Sequence, residues 1–418
     1  MNHPAPAFQR ALHGFAVLVT LATLGLLSIG GLVTSHGVGM AVPDWPTSFG
    51  YNMFALPFSL WLTGGVFHEH THRLWASVVG LMVVALLRWL GGAPSRRPLL
   101  VIGGMEMALG FALPLLNAEL RGTGFFLAGM GGVILLAGLV WVRNAPAARS
   151  VVVLGWWVFW LVQVQGLLGG LRVVLDAHHL LGAKLGMVFG VFHGCLGQVF
   201  LVLVAAIALM TGRWWTQRSR EPLNNAPGDR LRWLLAGTTA VVLLQLLIGA
   251  TMRHQHAGLA IWDFPLAHGR WWPDLSAEAI ARYNAQRVEL TAVAPITAFH
   301  VVLQMVHRLV AGVILALIAL CCWRWRRADG PDAAARRWGT AWLVLVLAQA
   351  GLGAWTVWSH KAADIATLHV VFGAATLVTG ALMTLMAFRF NFRCCGAPQV
   401  LAIQAPCGPG NQPAATPN

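Results

Sequence analysis

The sequence predicts an all-α integral membrane protein of about ten spans: two tandem, pseudo-symmetric four-helix bundles arranged as a parallel repeat, plus an inserted transmembrane hairpin. Three observations carry that expectation. Hydrophobic residues make up 57% of the 418 and charged residues 10%, with a mean hydropathy of +0.68, more apolar surface than a soluble domain can cover. Apolar runs of about 18 to 28 residues recur along the chain, long enough to cross a hydrocarbon core of about 30 Å. Two stretches also echo each other. Glu69-His70-Thr71-His72-Arg73 and Gln304-Met305-Val306-His307-Arg308 share the order acid-or-amide, x, x, His, Arg. Each follows a loop reading Gly-x-Ala-x-x-Asp-aromatic-Pro, Gly39 to Pro46 and Gly258 to Pro265.

The expected spans are 11–33, 68–90, 99–116, 123–142, 151–173, 183–211, 231–252, 297–322, 338–358 and 364–388. The first has Arg10 ahead of it, as a secretory signal would. It is long for a signal core, no small-x-small cleavage site follows, and its counterpart 231–252 is internal, so it reads as a structural helix. The third is short and carries Glu106. Basic residues gather in alternate connections, among them Arg88, Arg96 and Arg97, then Arg324, Arg326 and Arg327, while 34–67 has none. This positive-inside bias places both termini in the cytoplasm. The net charge of +14 therefore reports topology, not a nucleic-acid partner. None of the six cysteines falls in an outward loop, which leaves no extracytoplasmic disulfide within the chain.

The repeat can be aligned by hand. Asp44 and Asp263 lie 219 residues apart, His72 and His307 lie 235 apart, and Gln165-Gly166-Leu167-Leu168-Gly169-Gly170 resembles Gln349-Ala350-Gly351-Leu352-Gly353-Ala354 at a spacing of 184. The drop in spacing means that the first copy has extra residues, about 91–145, which read as a helical hairpin. The expected domains are 1–212 for the first repeat with that insertion, 213–393 for the second, and 394–418 as a disordered cytoplasmic tail rich in Pro, Gly, Gln and Asn. Both copies start on the same side, so the repeat is parallel.

Four histidines recur by position: His72 and His193 in the first copy, His307 and His369 in the second. Each pair lies on two helices at similar depth in the outer part of the membrane, which suits a haem iron held between axial imidazoles. Zinc would want four ligands, and no cysteine or carboxylate cluster stands nearby. The plainer reading of any one intramembrane histidine is a helix-to-helix hydrogen bond; repetition in register favours ligation. His36, His68, His70, His178, His179, His254, His256, His268 and His360 read as interfacial, and His300 lacks a partner in the first copy.

Glu69 faces neutral Gln304 in the second copy. A carboxylate beside a haem face can move protons or stabilise developing positive charge; a solvated acid, or one orienting His72 or pairing with Arg73, is equally open. Arg73 and Arg308 are candidate contacts for haem propionates or lipid headgroups. The loops bearing Asp44-Trp45-Pro46 and Asp263-Phe264-Pro265 read as ordered caps, and 253–296 as containing a small surface helix.

At these residues the chain resembles the haem A synthase family of membrane enzymes, on Glu-x-x-His-Arg at 69–73, x-x-His-Arg ending at Arg308, the paired Asp-aromatic-Pro loops, Gly-Gly-Leu-Arg-Val at 169–173 and the later histidines. The resemblance covers nearly all of 11–390 except the hairpin. It implies an oxidoreductase that converts the methyl group of haem O to the formyl group of haem A for cytochrome oxidase assembly, by successive hydroxylation and loss of water. It further implies haem b as cofactor on His307 and His369, haem O as substrate at His72 and His193, and Glu69 as the catalytic acid. Implied partners are the lipid bilayer, haem O synthase and an electron donor; the implied location is the inner cell membrane with haem sites towards the outer side. Many bacterial members carry an outward-loop cysteine pair, which this chain lacks, and eight helices where this chain has about ten. A di-haem b electron-transfer protein using the same four histidines is the alternative, and a transporter on parallel repeats a third.

Overall fold

In lipid a backbone can be satisfied by helical hydrogen bonding within each segment or by a closed barrel, and this polypeptide takes the helical route. The computed structural model describes residues 8–140, 142, 144–180, 182–217, 229–287, 295–327 and 333–391. Among the described residues, ten helices are long and apolar enough to cross a membrane: α1 Arg10–Ser35, α2 Gly64–Gly91, α3 Arg96–Leu116, α4 Arg121–Leu139, α5 Arg149–Val174, α6 Leu185–Thr211, α7 Asp229–His254, α8 Ala298–Arg327, α9 Ala333–Trp358 and α10 Ala363–Asn391. All ten expected spans are present. Apart from a two-residue ladder pairing His179–Leu180 with Ala183–Lys184, the regular structure is helical. Small polar residues inside the helices bond their own backbone: the hydroxyls of Thr20, Thr23, Ser28 and Thr34 on α1 each reach the carbonyl four residues earlier. The proposed tail, 394–418, lies outside the described residues.

Helix packing has two closed circuits. α1, α2, α5 and α6 contact in the order α1–α2–α5–α6–α1, and α7, α8, α9 and α10 in the order α7–α8–α9–α10–α7. The circuits meet where α1 and α6 pack on α10 and α6 packs on α7. Separate apolar cores fill them, one around Val83, Leu87, Phe159 and Ile207, the other around Leu235, Ile318, Trp325 and Trp342.

α3 and α4 form a tight hairpin outside the first circuit, held by glycine. A Cβ added at Gly103, Gly110 or Gly131 would stand 2.4, 2.3 or 2.4 Å from the backbone nitrogen of Leu135, Ala128 or Met107. The two backbones therefore touch along their length, as small residues permit in lipid. The hairpin is fastened to its neighbours by polar contacts. The Gln163 amide on α5 donates to Glu106 at 3.1 Å. Arg88 on α2 donates to the carbonyls of Ala137 and Val140 at 3.1 and 2.8 Å, which ends α4 at Leu139, three residues short of the expected boundary.

Candidate active site

The two loops that precede the histidine motifs fold alike. Asp44 accepts from the amides of Phe49 and Gly50 at 2.6 and 2.9 Å; Asp263 accepts from those of His268 and Gly269 at 2.7 and 2.8 Å. Each acceptance closes a short turn that needs a left-handed glycine, Gly50 at φ 77° and Gly269 at φ 75°. Burial pushes the Asp44 carboxyl up, but hydrogen bonds from Thr47, Gly50 and Phe49 outweigh it and hold it below its ordinary 3.8. The expected surface helix in the second loop is Ala277–Ala285, capped by the Ser276 hydroxyl on the Ala279 amide.

Each loop is buckled to its circuit from below. Glu69, 4% exposed, accepts from the Val42 amide at 2.9 Å, and Gln304, 3% exposed, accepts from the equivalent Ile261 amide at 2.7 Å. Arg73 donates to the carbonyls of Val42, Asp44 and Thr47 and to Glu69 at 2.8 Å. Arg308 donates to the carbonyls of Asp263 and Leu266 at 2.7 and 2.9 Å. Of the readings left open for Glu69, the structure shows pairing with Arg73 and burial, not a solvated acid. Arg73 and Arg308 line the cavity, but their guanidinium groups hold the loops, so most of their donors are not available to a ligand carboxylate. His70, read as interfacial, is 1% exposed beneath the first loop, with Nδ1 3.3 Å from the Ser48 hydroxyl.

Above these anchors the four expected histidines converge in pairs. His72 on α2 and His193 on α6 face each other with ring centroids 6.4 Å apart. His307 on α8 and His369 on α10 also stand 6.4 Å apart. In both circuits these helices are diagonal. The other two helices of each circuit present glycine to the imidazoles. A Cβ added at Gly30, Gly169, Gly249 or Gly353 would stand 2.9, 3.3, 3.2 or 3.1 Å from Cε1 of His72, His193, His307 or His369. Glutamines fix the histidine backbones: Gln165 donates to the His193 carbonyl at 3.2 Å and Gln245 to that of His307 at 2.8 Å. Nδ1 of His193 lies 3.1 Å from the Gln165 carbonyl, which leaves its Nε2 as the ring nitrogen available to a ligand. Gly169 and Gly353 belong to the repeated glutamine-glycine motif; Gly30 and Gly249 were not singled out in the sequence, although they repeat at the same 219-residue spacing as the aspartates.

The arrangement fits haem. Imidazoles about 2 Å from one iron on opposite faces have ring centroids about 6 Å apart, as both pairs have. A cavity of about 1370 Å³ is lined by all four histidines, Glu69, Gln304, Arg73 and Arg308. Two donors per site suit a metal already held by a macrocycle, and no group of three or more His, Cys, Asp or Glu positioned for a bare ion occurs among the described residues. α4 adds Phe125, Phe126 and Met130 to the wall beside the first pair, a contribution that the sequence did not indicate.

Comparison with known proteins gives the same direction. The family model described as cytochrome oxidase assembly protein (COX15-CtaA) matches residues 126–381, more than half of the chain. The chain belongs to that family. The match includes His193, His307 and His369; Glu69 and His72 precede it. The protein named heme A synthase in Sphingopyxis alaskensis is 27% identical over 265 residues, 59% of this chain and 62% of that one. That of Symbiobacterium thermophilum is 30% identical over 54% of this chain and 64% of its own. The chain thus matches less than two thirds of the length of these two relatives. That of Geobacillus kaustophilus is 25% identical over 91% of this chain and 93% of its own.

Proposed function

We propose that this chain is a haem A synthase, an oxidoreductase that converts the methyl group of haem O to the formyl group of haem A for cytochrome oxidase assembly. The observation that carries the proposal is a pair of similarly built bis-histidine sites in which the buried carboxylate of Glu69 in the first stands where the second has neutral Gln304. His72 and His193 hold the substrate haem O, and His307 and His369 hold haem b. When bound, haem b supplies one-electron chemistry close to the substrate. The protein's own residues do the rest. The diagonal histidines and their glycines orient each porphyrin, and the buckled loops exclude water from above. Glu69 holds a carboxylate within the cavity, where it can accept protons lost as the methyl carbon is oxidised, while Arg73 keeps it placed.

The two circuits are read as halves of a duplication, about 1–212 and 213–393, with the α3–α4 hairpin inserted in the first. The termini lie in the cytoplasm and the haem sites towards the outer side of the inner membrane, on the strength of the arginine distribution. Haem O synthase and a separate electron donor are the proposed partners. A di-haem electron carrier is not favoured, because passive transfer has no use for a buried carboxylate in one site alone.

The test is expression in a host that makes haem O, followed by pigment extraction from membranes and purified protein. Haem A in the wild type, and its loss in both His72→Ala and His193→Ala, is the expected result. Bound haem with no formyl product would make the chain a carrier.

A further inference from the structure

The cavity carries more positive charge than its own residues neutralise. Glu69 is the one carboxylate among the described residues that line it, and it is ion-paired with Arg73. Arg172 near the end of α5 and Arg253 near the end of α7 also line it. The Arg172 guanidinium lies against Gly39, where an added Cβ would be 2.2 Å from Nη2. It makes no ion pair within the described residues; Glu69 and Asp176 attract it only through space. Arg253 donates to the Gly31 carbonyl and the Ser35 hydroxyl on α1 at 2.5 and 2.6 Å, and so crosses from the second circuit to the first. His254 crosses too: its ring packs on α6 at Gly190, three residues before His193. Arg73, Arg172 and Arg253 thus share one cavity. Like charges gathered in a low-dielectric cavity are costly unless an anion joins them.

Register makes the cluster specific to one site. Arg172 lies three residues beyond Gly169, the glycine under His193; the equivalent residue beyond Gly353 is Thr356. Arg253 and His254 correspond to Thr34 and Ser35. Each cationic or basic side chain therefore stands where the other copy has a neutral hydroxyl. Three helical residues advance about 4.5 Å along the axis, which puts Arg172 outward of the level at which His193 meets a metal.

We propose that Arg172, assisted by Arg253 and His254 from the other half, binds the carboxylates of the porphyrin held between His72 and His193. The inference rests on the substrate-site reading above and supplies the anion contacts that Arg73, tied to its loop, is not free to make. A guanidinium fork matches a carboxylate in two parallel hydrogen bonds, so the porphyrin enters with its carboxylate edge outward and its apolar edge towards the membrane interior.

The test uses the full chain in nanodiscs of neutral phosphatidylcholine, with haem already bound at His307 and His369. Ferric protohaem and its dimethyl ester are titrated separately, and bis-imidazole absorption of the first site is read. The wild type should prefer the diacid by at least about tenfold. Arg172→Thr, which installs the other copy's residue, should abolish the preference and leave ester affinity unchanged; Arg172→Lys should restore part of it. Retained haem at His307 and His369 reports that the variant is folded. Full preference in Arg172→Thr overturns the proposal. Equal binding of diacid and ester by the wild type also overturns it, and a rise in thermal stability on adding anionic lipid would then assign Arg172 to a phosphate headgroup. If no first-site bis-imidazole spectrum forms at all, the substrate-site reading itself falls.

Discussion

Glu69 and Gln304 accept from equivalent loop amides; Glu69 adds a negative charge paired with Arg73, where the Gln304 amide instead donates to the Gly258 and Ile261 carbonyls. Glu69→Gln should therefore keep the loop in place and both porphyrins bound, while haem A formation falls by about 100-fold or more, the usual scale of a lost acid–base group; extracted haem from matched amounts of protein measures it. Unchanged turnover would return Glu69 to a structural role. The glycines beneath the imidazoles allow a sharper separation of the sites. Gly169→Leu has no room beside His193, and Gly353→Leu none beside His369. Each should empty its own site and spare the other, at a stability cost of about 1–3 kcal/mol from overpacking. The histidines were legible in the sequence because they repeat against an apolar background, and Glu69 because its counterpart Gln304 is neutral. Burial of Glu69 was not, since sequence does not show that a loop folds back over it. Nor was the bonding of Arg73 and Arg308 to loop carbonyls, which depends on backbone paths many residues away.

At the scale of elements, the loops and the hairpin behave differently. Each Asp-aromatic-Pro loop is closed by one carboxylate on two amides, so Asp44→Ala should free the Phe49 and Gly50 amides to exchange with solvent while the spans persist. The Asp44 carboxyl is depressed in the folded protein, so its contribution is present above its unfolded value. It is lost as pH falls through the lower folded value. Hydrogen exchange at those two amides should accordingly rise only under acid conditions, below the ordinary carboxylate range; a rise near neutral pH would exclude Asp44 as the latch. In the hairpin, Gly110→Leu would drive a side chain into the Ala128 backbone. It should separate α3 from α4 and expose α4 to lipid, seen as new labelling of cysteines placed at the contact. Span positions were readable to within a few residues because length and hydropathy alone set them. The end of α4 was not, because the Arg88 guanidinium, a long-range partner, decides it. The wall that α4 lends to the cavity was hidden for the same reason: an inserted element has no counterpart to compare.

For the whole molecule, the two closed four-helix circuits are the organising feature. Diagonal histidines, opposing glycines and buckled loops occur twice, while Glu69, Arg172, Arg253 and His254 break the symmetry at the first site. The sequence pointed to a duplication through motifs echoed at spacings of 219, 235 and 184, but not to which helices would be diagonal or to the reach of Arg253 and His254 from one circuit into the other. The central claim is that each half clasps one porphyrin iron between two imidazoles. Low-temperature electron paramagnetic resonance of the purified, haem-loaded protein addresses it directly. The account predicts two low-spin bis-imidazole ferric signals, of which His193→Ala removes one and His369→Ala the other. A single signal, or two that survive either substitution, would contradict it.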